Sequence, residues 1–427
     1  MRFSEVFIAF SIIWITRDVN GLFSLGIIKQ IIAPANPRIN RVRRMEDAHG
    51  DPLAVLDTVG LVERYGYPAE QHNVTTEDGY NIVFFRIPGS PKSPPTAGKS
   101  MVFIQHGVLL SSDCWVLMGS NDDLAFLLAD AGYDVWIGNV RGNTYARSHK
   151  NLTTLDKEFW NFSFDEMGSI DTPSLIEYAL QYTGQKKFFY IGHSMGTIIS
   201  HAILTERPEY NDKMRLVINL APPAFWKYDV GPASHLLVEN RALLEVLADA
   251  LGIYDLFPQS KLTAEFVRIL RGDNSSFRDT FLSIYHLIMG QSSPGFNNSA
   301  LPSVFLYFPA GASRKTASHF VQSLLSGDTS NKKFDYGTTK NLRIYGTREP
   351  PIYDVSKISA PVALFYGQTD GLVQAPNVIG LSKLFSNLVT CEAVPSPVFN
   401  HMDFIWSQDA KNLLYPRIIE LLSKYSE

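Results

Sequence analysis

The 427-residue sequence predicts an α/β chain: a mostly parallel central sheet with helices on both faces, interrupted by a helical insertion. Three observations predict it. Short apolar runs alternate with helically spaced segments from about residue 101 to 221, which implies β-α-β units and a sheet covered on both sides. The alternation stops at about residue 222, and amphipathic helices and loops replace it until about 345. Alternation then returns before a C-terminal helix.

The elements follow in order. Val6 to Ile15 is almost wholly apolar, with Arg2 before it and Arg17 and Asp18 after it. About ten apolar residues are too few to span a bilayer, which takes roughly 20. The length suits a signal peptide over residues 1–21, ending near Val19-Asn20-Gly21. A buried N-terminal helix or a retained anchor is the competing reading. A first core segment, 22–221, would follow. In it His72–Thr75 and Asn81–Ile87 flank Glu77-Asp78-Gly79, a hairpin signal. The prolines and glycines of 88–98 mark a surface loop. Met101–Gln105, Tyr133–Ile137, Lys187–Ile191 and Leu216–Leu220 read as strands. Asp123–Ala131, Thr172–Tyr182 and Thr197–Thr205 read as the helices between them.

In the insertion, 222–345, Leu236, Leu237, Leu243, Leu244, Val246 and Leu247 recur near helical spacing, and Phe266, Ile269 and Leu270 repeat the pattern. They are expected to form the core of a helical cap. The second core segment, 346–427, holds strands at Val362–Tyr366 and Val389–Val394, then one helix from Ala410 to Tyr425.

Composition narrows the function. The charged fraction is 19% and the formal net charge −4, with no long run of one sign. A nucleic-acid partner would need a basic patch or stripe, and none is expected. The two cysteines, Cys114 and Cys391, either pair or stay as buried free thiols. No His/Cys pair has metal-ligand spacing, so no metal is expected. Asn-x-Ser/Thr sequons occur at Asn73, Asn151, Asn161, Asn274 and Asn297, candidate glycan sites on exposed loops of a secretory protein. Asn161 sits inside Phe159-Trp160-Asn161-Phe162, which favours burial.

The chemistry centres on Gly192-His193-Ser194-Met195-Gly196. The five-residue pattern alone is common. Its context is not: the strand Phe188-Phe189-Tyr190-Ile191 precedes it and a helix of small and apolar residues follows. That is the nucleophile elbow, a tight strand-to-helix turn that lifts a serine hydroxyl clear of the sheet. A serine hydroxyl needs a base to take its proton. In this arrangement the partners follow in the order Ser, acid, His. Asp370 ends a late strand and His401 follows the last one, which makes them the candidate acid and base. Asp403 is the rival acid, placed where it could instead brace the base loop. His201, His235, His286 and His319 lie before the last two strands and read as surface or packing residues. An oxyanion hole needs two backbone N–H donors. Met195, just after the nucleophile, supplies one; Val108, in His106-Gly107-Val108 after an early strand, is the candidate for the other. His106 is expected to shape that loop.

At these residues the chain resembles the acid lipases, the gastric, lingual and lysosomal triacylglycerol and cholesteryl-ester lipases with their insect relatives. Supporting segments include Thr76-Glu77-Asp78-Gly79-Tyr80, Gln105-His106-Gly107, Asp130-Ala131-Gly132-Tyr133-Asp134-Val135-Trp136 and Gly138-Asn139-Val140-Arg141-Gly142-Asn143-Thr144. Phe162-Ser163-Phe164-Asp165-Glu166-Met167, Pro309-Ala310-Gly311 and His401-Met402-Asp403-Phe404-Ile405-Trp406 extend it, so the match runs from about 55 to 424. The resemblance implies the α/β-hydrolase fold, a cap over 222–345 that includes a mobile lid, and a secreted or lysosomal glycoprotein that cleaves neutral-lipid esters without a cofactor. Its partners would be the lipid ester and, transiently, a lipid-droplet or membrane surface. Ser194, Asp370 and His401 fall on the family's triad positions, and Val108 and Met195 on its oxyanion positions. Met195 stands where the family usually has Gln, Val108 where it has Leu, and the insertion lacks the cysteines of mammalian members. A carboxylesterase for short soluble esters is the alternative activity. A lipid-binding protein on a dead scaffold is the non-catalytic one.

Overall fold

The computed structural model describes residue 29 and residues 39–228, 230–261, 264, 275–298 and 300–426. The apolar run Val6–Ile15, the residues Phe266, Ile269 and Leu270, and the sequon at Asn274 lie outside them.

Eight strands carry the central sheet: β1 (Glu70–Thr75), β2 (Tyr80–Ile87), β3 (Met101–Gln105), β4 (Asp134–Ile137), β5 (Phe188–His193), β6 (Met214–Leu220), β7 (Val362–Tyr366) and β8 (Leu388–Ala393). Their spatial order is β8-β7-β6-β5-β3-β4-β2-β1, and the short strand Ser148–His149 pairs with β2 to complete a nine-stranded sheet. From β4 to β8 every pairing is parallel; β1 and β2 join antiparallel at one edge. The helices α1 (Leu124–Asp130), α2 (Thr172–Thr183) and α3 (Met195–Glu206) connect the parallel strands. β3 and β5 are buried along their whole length, as strands covered on both faces must be. The early strand β3 and the late strand β7 begin and end where the apolar runs do.

The crossover after β4 is pinned by charge. Arg141 is 2% exposed and lies between two carboxylates. Its Nε donates to Asp171 at 2.8 Å, and its terminal nitrogens reach Asp171 and Asp78 at 2.6 Å. The guanidinium also covers the Tyr80 ring, 4.0 Å from the centroid. Burial alone would lower the Arg141 pKa, but the Asp171 and Asp78 carboxylates outweigh it and raise it. Asp78 is the tip of the β1–β2 hairpin, so one arginine ties that edge to the core.

Between β6 and β7 the chain leaves the sheet and forms α4 (Pro232–Leu251), α5 (Ser275–Met289) and α6 (Arg314–Ser326). A helical insertion is therefore present, but the expected packing of α4 is not. Leu236 and Leu247 are half-buried, while Leu237, Leu243, Leu244 and Val246 are 39–65% exposed. The physical reason is width. These six residues cover about half the circumference of a helix with 3.6 residues per turn, more than its contacts with α5 and α6 can shield.

The C-terminal helix also differs from expectation. It is two helices, α7 (Gln408–Leu413) and α8 (Tyr415–Lys424). Pro416 has no N–H and its ring cannot follow the preceding turn, so the chain breaks at Leu414, with φ −119° and ψ −50°. Cys114 is buried, Cys391 is only half-buried, and both are free thiols. Asn161 is exposed although its aromatic neighbours Phe159, Trp160 and Phe162 are buried, so the expected burial of this sequon does not occur. Asn73, Asn151 and Asn297 are exposed too, Asn73 on strand β1 rather than on a loop.

A histidine anchors the insertion to the core. His319 of α6 stacks on Phe164, with centroids 3.7 Å apart. Its ring nitrogens meet the Ser163 hydroxyl at 3.0 Å and the Lys332 carbonyl at 2.9 Å. Burial pushes its pKa down to about 3, against smaller opposing effects from the Lys332 carbonyl and Glu166. Asp165, 3.9 Å away, is itself pushed up to about 6 by burial. The neutral ring belongs to the folded state. Its contribution is complete above the ordinary value near 6.5 and is lost as pH falls toward 3. The stability gap between the wild type and His319→Gln, measured as urea midpoints, should therefore narrow from pH 7 to pH 4. A gap independent of pH would contradict a neutral, buried His319.

Candidate active site

Ser194 stands between β5 and α3 as the N-cap of α3, with φ 53° and ψ −121°, a conformation that an L-residue adopts only under constraint. The flanking glycines make the turn possible. A Cβ on Gly192 would sit 2.6 Å from the Gly196 carbonyl oxygen, and one on Gly196 would overlap the Gln105 carbonyl. Ser194 is 6% exposed, and its hydroxyl has no hydrogen-bond partner among the described residues.

Asp370 and His401 come together from loops after β7 and β8. His401 Nδ1 lies 2.8 Å from Asp370 Oδ2. The other Asp370 oxygen accepts the Leu372 and Val373 N–H groups at 2.9 and 2.8 Å, which fixes the carboxylate. Asp403 does not reach the imidazole. Its Oδ2 accepts the N–H groups of Asn400 and Ser293, both at 2.7 Å, and burial lifts its pKa to about 7.

The predicted oxyanion donors flank the same serine. Met195 is the first residue of α3, and Val108 follows Gly107 in the loop after β3. Neither N–H has an acceptor among the described residues. Gly107 faces the nucleophile so closely that a Cβ there would lie 2.9 Å from Ser194 Cβ and 3.4 Å from its Oγ. Leu109, the next residue but one, is held at φ 60° and its carbonyl accepts the Ala310 N–H at 2.7 Å. The insertion thus touches the oxyanion loop through Pro309-Ala310-Gly311.

His106 shapes this loop rather than reaching the serine. Its Nδ1 meets the Gly107 carbonyl at 2.7 Å and its Nε2 meets Asn143 at 3.1 Å. Burial lowers its pKa to about 4, so the ring is neutral, with Nδ1–H donating and Nε2 accepting. Asn143 in turn donates to Asn139, which accepts the Ser112 N–H at 2.8 Å. Sequence reasoning quoted both asparagines but gave them no role. Two buried amides four residues apart after a strand were the available signal. His193 was also missed. Its Nε2 lies 2.9 Å from the His401 carbonyl and the two rings are 4.8 Å apart, so the residue before the nucleophile holds the base loop. Burial and the nearby His401 keep His193 well below the usual range, hence neutral.

Among the described residues, no three His, Cys, Asp or Glu side chains gather to hold a metal ion, and no helix is long and apolar enough to cross a membrane. Ser194, His401 and Asp370 offer a hydroxyl, an imidazole and a carboxylate.

Residues 101–407 match the family described as alpha/beta hydrolase fold, and residues 58–119 match the partial alpha/beta-hydrolase lipase region. The chain belongs to the α/β-hydrolase lipases. Among its relatives, Lipase 3 of Drosophila melanogaster is 36% identical, covering 87% of this chain and 94% of its own. Human gastric triacylglycerol lipase is 34% identical, covering 88% and 93%. Human lysosomal acid lipase/cholesteryl ester hydrolase is also 34% identical, covering 88% of this chain. A soluble variant of the monoglyceride lipase of Saccharomyces cerevisiae shares the fold, with a TM-score of 0.51 at 14% identity over 84% of this chain and 96% of that one.

Proposed function

We propose that Ser194, His401 and Asp370 are the nucleophile, base and acid of a lipase that cleaves neutral-lipid esters. The observation that carries this is the Asp370–His401 pair at 2.8 Å beside a serine held at φ 53°. His401 takes the Ser194 proton as Oγ attacks the ester carbonyl, while Asp370 orients the ring and stabilises its charged form. The Val108 and Met195 N–H groups receive the developing oxyanion. Met195 in place of the family's Gln leaves this intact, because the donor is backbone. His401 then protonates the leaving alcohol, and water repeats the cycle on the acyl-enzyme.

Residues 222–345 act as the cap that delivers the acyl chain. The leucines and valine that α4 exposes on both flanks of its apolar stripe favour transient contact with a lipid surface. Relatives named for gastric and lysosomal action, together with the exposed sequons Asn73, Asn151, Asn161 and Asn297, support a secretory-pathway glycoprotein. Turnover across acyl chain lengths, with emulsified and soluble substrates, tests the substrate class. Emulsified long-chain acylglycerols or sterol esters should be turned over efficiently. Strict preference for short soluble esters would overturn it.

A further inference from the structure

The insertion reaches the acid and the base from behind. The backbone from the last residue of α5, Met289, to Ser293 bonds to both loops. One carbonyl serves both: Met289 O accepts the N–H of Gly371 at 3.0 Å and of His401 at 3.3 Å. The Thr369 hydroxyl donates to the Gln291 carbonyl at 2.7 Å and accepts the Phe399 N–H at 2.8 Å. Asn400 Nδ2 donates to the Gly290 carbonyl and the Ser292 hydroxyl, both at 2.9 Å. The Ser293 N–H completes the run on Asp403 Oδ2.

These bonds bracket the reacting groups. Thr369 and Gly371 flank Asp370; Asn400 and Asp403 flank His401 closely. The approach is tight. Gly290 has φ 91°, and a Cβ there would overlap the Thr369 carbonyl. Asn400 Oδ1 also accepts the Met402 and Asp403 N–H groups at 2.9 and 3.0 Å, which stiffens the base loop itself. The bonds made by Met289–Ser293 join residues about 80 to 110 positions apart, so these belong to the local folding of neither loop.

We propose that Met289–Ser293 is a positioning strap that sets the separation of Asp370 and His401, with Thr369, Asn400 and Asp403 as its positioning residues. The proposal rests on the triad reading above. None of these residues touches the reacting atoms. Their effect is on the alignment of the imidazole, and a displacement of about 1 Å from remote positions can cost roughly 100-fold in rate.

The test combines steady-state kinetics with the rate at which a fluorophosphonate labels Ser194. Asp403→Ala should lower kcat and the labelling rate together, by roughly 100-fold, with KM unchanged. Asp403→Asn keeps a carbonyl oxygen for the two N–H groups and should recover most of that loss. Asp403→Ala leaves those donors buried and unpaired, so Thr369→Val provides a milder probe of similar volume. It removes one strap bond and should lower kcat and labelling by about tenfold. Wild-type kcat and labelling in both Asp403→Ala and Thr369→Val would overturn the strap. So would rate losses fully accounted for by a smaller folded fraction. A wild-type chain that the fluorophosphonate does not label at Ser194 would instead overturn the triad reading.

Discussion

Ser194→Ala is expected to abolish ester hydrolysis, with kcat falling by roughly 10⁵-fold or more, while the fold and its thermal midpoint remain. The size follows from where the serine sits. Its hydroxyl is the only atom at the turn able to form the acyl bond, and without it His401 and the two N–H donors can at most assist a water attack. Little stability should be lost, because the hydroxyl has no hydrogen-bond partner among the described residues. Alanine meets the same backbone restriction at φ 53°, so the substitution relieves little strain. Activity against an ester substrate and circular dichroism on the same preparation check both halves of the expectation.

The largest expected loss of stability comes from Arg141→Met. Methionine fills much of the space but leaves Asp171, wholly buried, without its cation. Burial already raises the Asp171 pKa despite the arginine beside it. Breaking one side of such a buried pair costs about 3–5 kcal/mol. Arg141→Lys should recover little of it, because one ammonium cannot match the fork that reaches Asp171 and Asp78 together. Denaturant unfolding measures the difference. A loss below about 1 kcal/mol would place the pair among ordinary surface bridges and contradict its buried character. The β1–β2 edge should loosen first, since Asp78 and the Tyr80 ring tie it to Arg141.

The parts of the molecule legible in the sequence are those whose signal is local. β3 and β7 are continuous apolar runs between turn residues, and the elbow joins strand, small residues and helix within a few positions. The pairing of Asp370 with His401 was legible because the chain order expected of an acid and a base pointed to these two late loops. Asn161 was misjudged because an aromatic neighbourhood says nothing about which way one side chain points. The exposed α4 leucines were misjudged for a related reason: periodicity reports an apolar stripe but not how wide its cover is. The strap was invisible in sequence. Its bonds use backbone carbonyls, which every residue possesses, and they join segments distant along the chain. His193 falls between these cases. It sits inside the motif, yet its partner is a carbonyl on a loop more than two hundred residues away.

The central claim is that an acyl group passes through Ser194. The most direct measurement traps it. The chain is mixed with an activated ester, quenched in acid within the pre-steady state, digested and analysed by mass spectrometry. The predicted result is one acyl group on the peptide carrying Gly192-His193-Ser194-Met195-Gly196, absent in Ser194→Ala and accumulating when the His401 base is removed only to the extent that acylation still proceeds. Full wild-type turnover with no acyl group on that peptide, or with the group on a different residue, would contradict the account.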